Sequence, residues 1–164
     1  MPAPLRRNAA GNWGAMTLGD ILTPDSIVAD LQATNRWEAI DELIRCLVAA
    51  GRIKPEHLEA VRERSMSTGI GYGIGIPHAS TDLIQEVVGA FGRSKTGIDF
   101  EALDNQRVTL VVLFLVPLGQ FQKHLHTLAD IAKLLHQREL RQALEQAPDA
   151  AAIYEIIRKS APAR

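Results

Sequence analysis

Val108-Thr109-Leu110-Val111-Val112-Leu113-Phe114-Leu115-Val116, closed by Pro117 and Gly119, is the stretch on which the fold of this 164-residue chain turns. The run is almost wholly β-branched and aliphatic and has no regular polar alternation. It therefore reads as a central strand covered on both faces. Covering both faces requires helices on either side, and the sequence offers them. Downstream, Leu125, Leu128, Ile131, Ala132 and Leu135 repeat at helical spacing within 120–136, Leu140 to Leu144 continues the pattern, and Ala150 to Lys159 turns Ile153, Ile156 and Ile157 inward. Upstream, Asn35 is placed to cap a helix carrying Trp37, Ile40, Leu43, Ile44, Leu47 and Val48, which Gly51 ends. Lys54-Pro55-Glu56 opens a second helix with Leu58 and Val61 inward, running to about Ser67.

Weaker signals complete the plan. Leu18 to Leu22 reads as a short helical turn, and Ser26 to Leu31 and Val87 to Arg93 read as strands. Lys95-Thr96-Gly97-Ile98-Asp99 and Asp104-Asn105-Gln106 read as turns, with room for a short strand or bulge. The economical arrangement is a single α/β domain of three layers over residues 16–164, with a mixed central β-sheet flanked by helices on both faces. Residues 1–15, with Pro2, Pro4, Arg6, Arg7, Gly11 and Gly14, have little periodic hydrophobicity and are expected to form a disordered tail.

Bulk properties exclude several classes of function. A hydrophobic content of 46% supports one proper core, and a net charge of −1 gives no basic face for nucleic acid. Cys46 is the only cysteine, so neither an internal disulfide nor a cysteine-based zinc site can form; among Ile44, Leu47 and Val48 it reads as a small buried hydrophobe. No apolar run approaches the ~20 residues of a membrane span and no secretion signal opens the chain, so a cytoplasmic protein without membrane insertion is expected.

The unusual chemistry is concentrated in Thr68-Gly69-Ile70-Gly71-Tyr72-Gly73-Ile74-Gly75-Ile76-Pro77-His78, which holds four of the twelve glycines. Alternating glycine suggests an extended segment with accessible amides, able to form a cradle for an anion such as phosphate. Pro77 restricts Ile76 to extended geometry and limits where the imidazole of His78 can point. The same spacing also fits a buried strand under a helix followed by a loop histidine, and spacing alone leaves both readings open. A Walker loop is excluded because no Gly-Lys-Ser/Thr follows, and a dinucleotide fingerprint because no helix opens after the glycines.

The eleven-residue stretch resembles the phosphorylation signature of the fructose/mannitol/nitrogen-regulatory IIA family of the bacterial phosphotransferase system, Thr-Gly-x-Gly-x-Gly-x-Ala-x-Pro-His. Gly75 stands where that family usually has Ala, and Ala79 where Gly is common. The resemblance extends over roughly 18 to 158. It implies that His78 accepts a phosphoryl group, that Arg62 faces it at the family spacing, and that His124, after Val116-Pro117, is the family's second, supporting histidine. It also implies an HPr-like phosphocarrier as donor, and a IIB-type acceptor or regulated proteins as partners. A chain with no attached IIB, HPr or membrane portion is most similar to the stand-alone nitrogen-regulatory branch; a sugar-specific IIA component and a non-catalytic anion-binding or partner-binding module are the alternatives.

Physical chemistry supports each role. Phosphoryl transfer depends on positioning and charge stabilisation. An imidazole attacks as the neutral base, and a guanidinium is suited to phosphate oxygens. The backbone amides near Gly71 and Gly73 and the hydroxyl of Thr68 are further candidate phosphate contacts. Read from composition alone, Arg62 is instead a solvated helix residue paired with Glu59 or Glu63. His126 cannot share a helix face with His124, and His57 and His136 read as surface residues. A zinc site built on His78 and His124 is disfavoured because no His-x-x-x-His or Cys-x-x-Cys pair is present, and no cofactor is expected. A modest apolar patch near Ile74 and Ile76 is the expected partner surface.

Overall fold

The computed structural model describes residues 16–65, 69–101 and 104–160. The expected tail and Thr68 lie outside the described residues. Element order is α1 (Leu18–Ile21), β1 (Ile27–Val28), α2 (Arg36–Ala49), α3 (Leu58–Arg64), β2 (Gly69–Gly71), β3 (Ile74–Gly75), β4 (His78–Thr81), β5 (Val88–Ile98), β6 (Val108–Pro117), α4 (Leu125–Leu135), α5 (Arg138–Gln146) and α6 (Ala150–Lys159).

As expected for a run apolar on both sides, β6 is central. It pairs antiparallel with β5 along one edge and parallel with β3 and then β4 along the other; β1 lies parallel outside β5, and β2 lies antiparallel outside β3. Six strands thus occupy five positions, because Ile76 and Pro77 interrupt what would otherwise be one strand.

The pleat of β6 sorts the core into two layers. Leu110, Val112, Phe114 and Val116 pack with Ile131 and Leu135 of α4, Leu144 of α5 and Ile153 and Ile157 of α6. Val111, Leu113 and Leu115 pack with Ile40, Leu43, Ile44 and Leu47 of α2 and Val61 of α3. The mixed, three-layered α/β architecture is the one read from the sequence.

Local chemistry sets the element ends. Asn35 caps α2, its side chain accepting the Glu38 N–H at 3.0 Å. Ser26 is a turn residue and not the start of a strand, because its hydroxyl accepts the Thr23 N–H and donates to the Thr23 carbonyl, both at 2.9 Å; β1 therefore shrinks to two residues. The segment 95–98, read as a turn, lies within β5. There Ser94 Oγ accepts the Gly97 N–H at 2.9 Å, Gly97 has a φ of +86°, and the register shifts between Arg93 and Ile98, so a bulge absorbs the turn residues and pairing resumes. Gly75, the departure from the usual Ala, lies under Phe100, whose ring carbon is 2.7 Å from where a Cβ would stand.

Arg93, on β5, is only 3% exposed. Its guanidinium donates to the carbonyls of Ala29 (2.9 Å), Leu144 (3.1 Å) and Ala147. It thereby ties the sheet to the C-terminal end of α5, where helix carbonyls lack intrahelical donors and favour a cation. Arg93→Met, which keeps the apolar stem and removes the donors, is expected to cost on the order of 3 kcal/mol in a urea melt.

Candidate phosphoryl-transfer site

His78 opens β4, opposite Phe114 of β6. Paired residues of a parallel ladder share a face, and alternate residues along an extended chain return to it, so Ile74, Ile76 and His78 all project toward α4. Ile74 and Ile76 are buried there, 0% and 3% exposed, so the apolar patch expected at these residues is core instead. His78 is half-buried. Its Nδ1 lies 2.9 Å from the Ile76 carbonyl. A carbonyl can only accept, so Nδ1 carries the hydrogen, and the neutral form of the ring has its lone pair on Nε2. The ring stacks on Phe121 with centroids 5.5 Å apart and planes 20° apart.

Phe121 belongs to the connection from β6 to α4, where Gln122–His124 forms a 3-10 turn ahead of the helix; the expected helix over 120–136 is regular from Leu125. His124 donates its backbone N–H to the Phe121 carbonyl at 3.0 Å. Its side chain is buried, and its Nδ1 has no hydrogen-bond partner among the described residues. Burial, and then the charge of Lys123, hold its pKa below the ordinary histidine value, so it is neutral at neutral pH. The structure thus brings both sequence-predicted histidines to Phe121, a residue that sequence reasoning passed over. Leu118 and Leu125, 59% and 47% exposed, supply exposed apolar surface on the same connection.

The other expected phosphate contacts are placed elsewhere. The glycine run is a hairpin and not a single extended edge. Tyr72 and Gly73, with φ of +57° and +78°, form its two-residue turn, because a tight hairpin matching strand twist needs positive φ at both positions. The strain at Tyr72 is offset by ring contacts: His136 meets it edge-on at 5.2 Å, and the Arg141 guanidinium lies 5.3 Å from its centroid. Gly73 O accepts from Thr109 and Leu110, at the opposite end of the ladder from His78. Since Ile74 pairs with Leu110 and His78 with Phe114, four strand positions, about 13 Å, separate this end from the imidazole. Gly71 and Gly73 are therefore not gathered around His78.

Arg62 projects from α3, which packs on the other face of the sheet. Its guanidinium is held by Asp41 at 3.1 Å and Glu59 at 2.5 Å, and these bonds, Glu59 foremost, raise its pKa. Among the described residues it makes no hydrogen bond to His78. The carboxylate pairing weighed from composition is the one observed, with Asp41 added from 21 residues away.

The remaining candidates have local roles. His126 is exposed and pairs with Asp130 at 3.3 Å, and His57 is partly buried with Nδ1 shielded. Cys46 is half-buried, its thiol donating to the Asp25 carbonyl at 3.3 Å, and burial pushes its pKa up. Among the described residues, no group of three or more His, Cys, Asp or Glu is arranged to hold a metal, and no helix is long and apolar enough to cross a membrane.

A ring-stacked imidazole at the start of a short strand beside the long central strand of a three-layered mixed sheet marks a IIA domain of the phosphotransferase system. The chain belongs to the family described as phosphoenolpyruvate-dependent sugar phosphotransferase system, EIIA 2, whose model matches residues 20–160. It is 34% identical over 148 residues to a nitrogen regulatory protein of Bradyrhizobium diazoefficiens, covering 87% of this chain and 95% of that one. It is 37% identical over 146 residues to the fructose-specific EIIABC component of Bacillus subtilis, covering 87% of this chain but only 23% of that longer protein. The crystal structure of nitrogen regulatory protein IIA-Ntr from Neisseria meningitidis superposes with a TM-score of 0.73 at 26% identity, covering 85% of this chain and 98% of that one.

The depressed pKa of His124 has a thermodynamic consequence. The unfolded chain binds a proton at this residue near pH ~6.5, whereas the folded chain resists it to lower pH. Stability is then complete above that value and declines as pH falls below it. Urea melts between about pH 7 and about pH 5 should give a smaller loss of stability for His124→Gln than for the wild type.

Proposed function

We propose that the protein is a phosphocarrier in which His78 Nε2 accepts a phosphoryl group from the phosphohistidine of an HPr-like protein. The observation carrying this reading is the hydrogen bond from His78 Nδ1 to the Ile76 carbonyl, which leaves the Nε2 lone pair as the ring's one nucleophilic position. As that lone pair forms the new N–P bond, the bond from phosphorus to the donor's ring nitrogen breaks and its electron pair stays on the donor. No proton changes hands, since each ring keeps the hydrogen on its other nitrogen. Phe121 holds the plane of the attacking ring, and neutral His124 is available as a hydrogen-bond donor to a phosphate oxygen.

The near full-length match to a nitrogen regulatory protein supports a regulatory role, in which the phosphorylation state of His78 sets which proteins are bound. The match to a fructose-specific component supports a second reading, transfer onward to a IIB-type protein. Incubation with phosphoenolpyruvate, the first enzyme of the system and an HPr-like carrier should give acid-labile phosphate on the wild type and none on His78→Ala; label persisting in that variant excludes the assignment. Passage of the label to a purified fructose-type IIB protein would favour the second reading.

Misplacement of a reacting group by about 1 Å costs on the order of 100-fold. Phe121→Ala is accordingly expected to slow phosphorylation roughly 10- to 100-fold while the far-ultraviolet circular dichroism is unchanged, measured by single-turnover transfer from the carrier.

A further inference from the structure

Phe121 reaches His78 from the chain that leaves β6, and both ends of that approach are fastened by backbone hydrogen bonds. At one end the Leu118 N–H donates to the Thr81 carbonyl of β4 at 2.9 Å, extending the ladder on which His78 stands. At the other end the His124 N–H donates to the Phe121 carbonyl at 3.0 Å, so the stacked residue begins the turn that leads into α4. Only Gly119 and Gln120 lie between. The Gln120 N–H donates to the Pro117 carbonyl at 3.0 Å, which closes the four-residue turn 117–120.

Gly119, third in this turn, has a φ of +83°. A positive φ at that place is the type II pattern, which glycine adopts freely and most L-residues resist. Crowding is not the reason for the glycine, because a Cβ here would meet nothing within 4 Å, whereas a Cβ at Gly75 would run into the Phe100 ring. Residue 119 therefore requires a backbone direction and not an empty space. An L-residue there either carries the strain or inverts the peptide between 118 and 119 into the type I form, and the inversion changes how the chain leaves toward Phe121.

Resting on the phosphocarrier reading above, we propose that Gly119 is a positioning residue for phosphoryl transfer, its left-handed backbone aiming the Phe121 ring at the face of His78 and so setting the plane of the attacking imidazole. With no side chain to touch the reacting atoms, it acts through Phe121. The contact it controls is the stack itself, with centroids 5.5 Å apart and planes 20° apart. Residue 119 is exposed, so a side chain there alters the turn without displacing core.

The test compares Gly119→Val, whose β-branched side chain resists positive φ strongly, with Gly119→Asn, which tolerates it. The full chain is phosphorylated with phosphoramidate, a small donor with no protein surface to dock, and followed by intact mass. The donor nitrogen, already protonated, departs as ammonia with the electron pair of the broken N–P bond while phosphorus joins His78 Nε2. Gly119→Val is expected to slow transfer roughly tenfold and to move the proton resonances of the His78 ring out of the ring current of Phe121. Gly119→Asn should recover most of the wild-type rate and the wild-type resonances. In a Phe121→Ala background, Gly119→Val should slow transfer no further.

A wild-type rate in Gly119→Val would overturn the proposal, whatever its thermal stability. An equal loss in Gly119→Asn would overturn it too, since the defect would then follow the added side chain and not the backbone. So would an undiminished effect of Gly119→Val in the Phe121→Ala background. A wild type that takes no phosphoryl group from phosphoramidate or from the HPr-like carrier would instead remove the phosphocarrier reading, and unchanged His78 resonances in Gly119→Val would remove the positioning role independently of any transfer.

Discussion

Backbone pairing with β6 fixes where every group of interest stands. One edge of that strand is shared by two short segments, β3 on Leu110 and Val111 and β4 on Phe114 to Pro117, with Pro77 between them. Proline has no N–H to give, yet its own carbonyl accepts from Phe114, so the chain re-enters the ladder one residue later with His78 at a set register. Because a shift of one residue would turn every side chain to the other face, the burial of Ile74 and Ile76 dictates that the imidazole points toward α4. The same apolar packing that stabilises the sheet therefore aims the ring.

The electrostatics follow from that aim. On the side of the sheet that His78 faces, the residues between β6 and α4 supply an aromatic plane in Phe121 and a buried, neutral imidazole in His124. On the opposite side, a guanidinium sits between two carboxylates. Ion pairs at exposed positions are worth little, so the pairing of Arg62 with Asp41 and Glu59 contributes little to stability.

Much of this was legible in the sequence, and the reasons are particular. Helix α2 announced itself through Asn35 and six apolar residues at one period, and β6 through a run too apolar to be exposed on either side. His78 stood out because a glycine-rich signature is a local feature, and His124 through the family resemblance that the signature carries. What escaped notice was non-local or unpatterned. Tyr72 in the left-handed region is held by the His136 ring just after α4 and the Arg141 guanidinium of α5, more than 60 residues on. Asp41 meets Arg62 only because two helices pack side by side, and the three carbonyls that receive Arg93 carry no side-chain signal at all. Phe121 lies in a connection without periodicity, where an aromatic residue looks like any other loop hydrophobe.

The stack on Phe121 also restricts traffic. One face of the imidazole is covered by Phe121, one nitrogen lies against a carbonyl, and the residue is half-buried, so the ring offers little surface to a visitor. Any two macromolecules that need this ring must come to it in turn, each leaving before the other arrives. A narrow approach of this kind makes the order of encounters matter as much as the strength of any one of them.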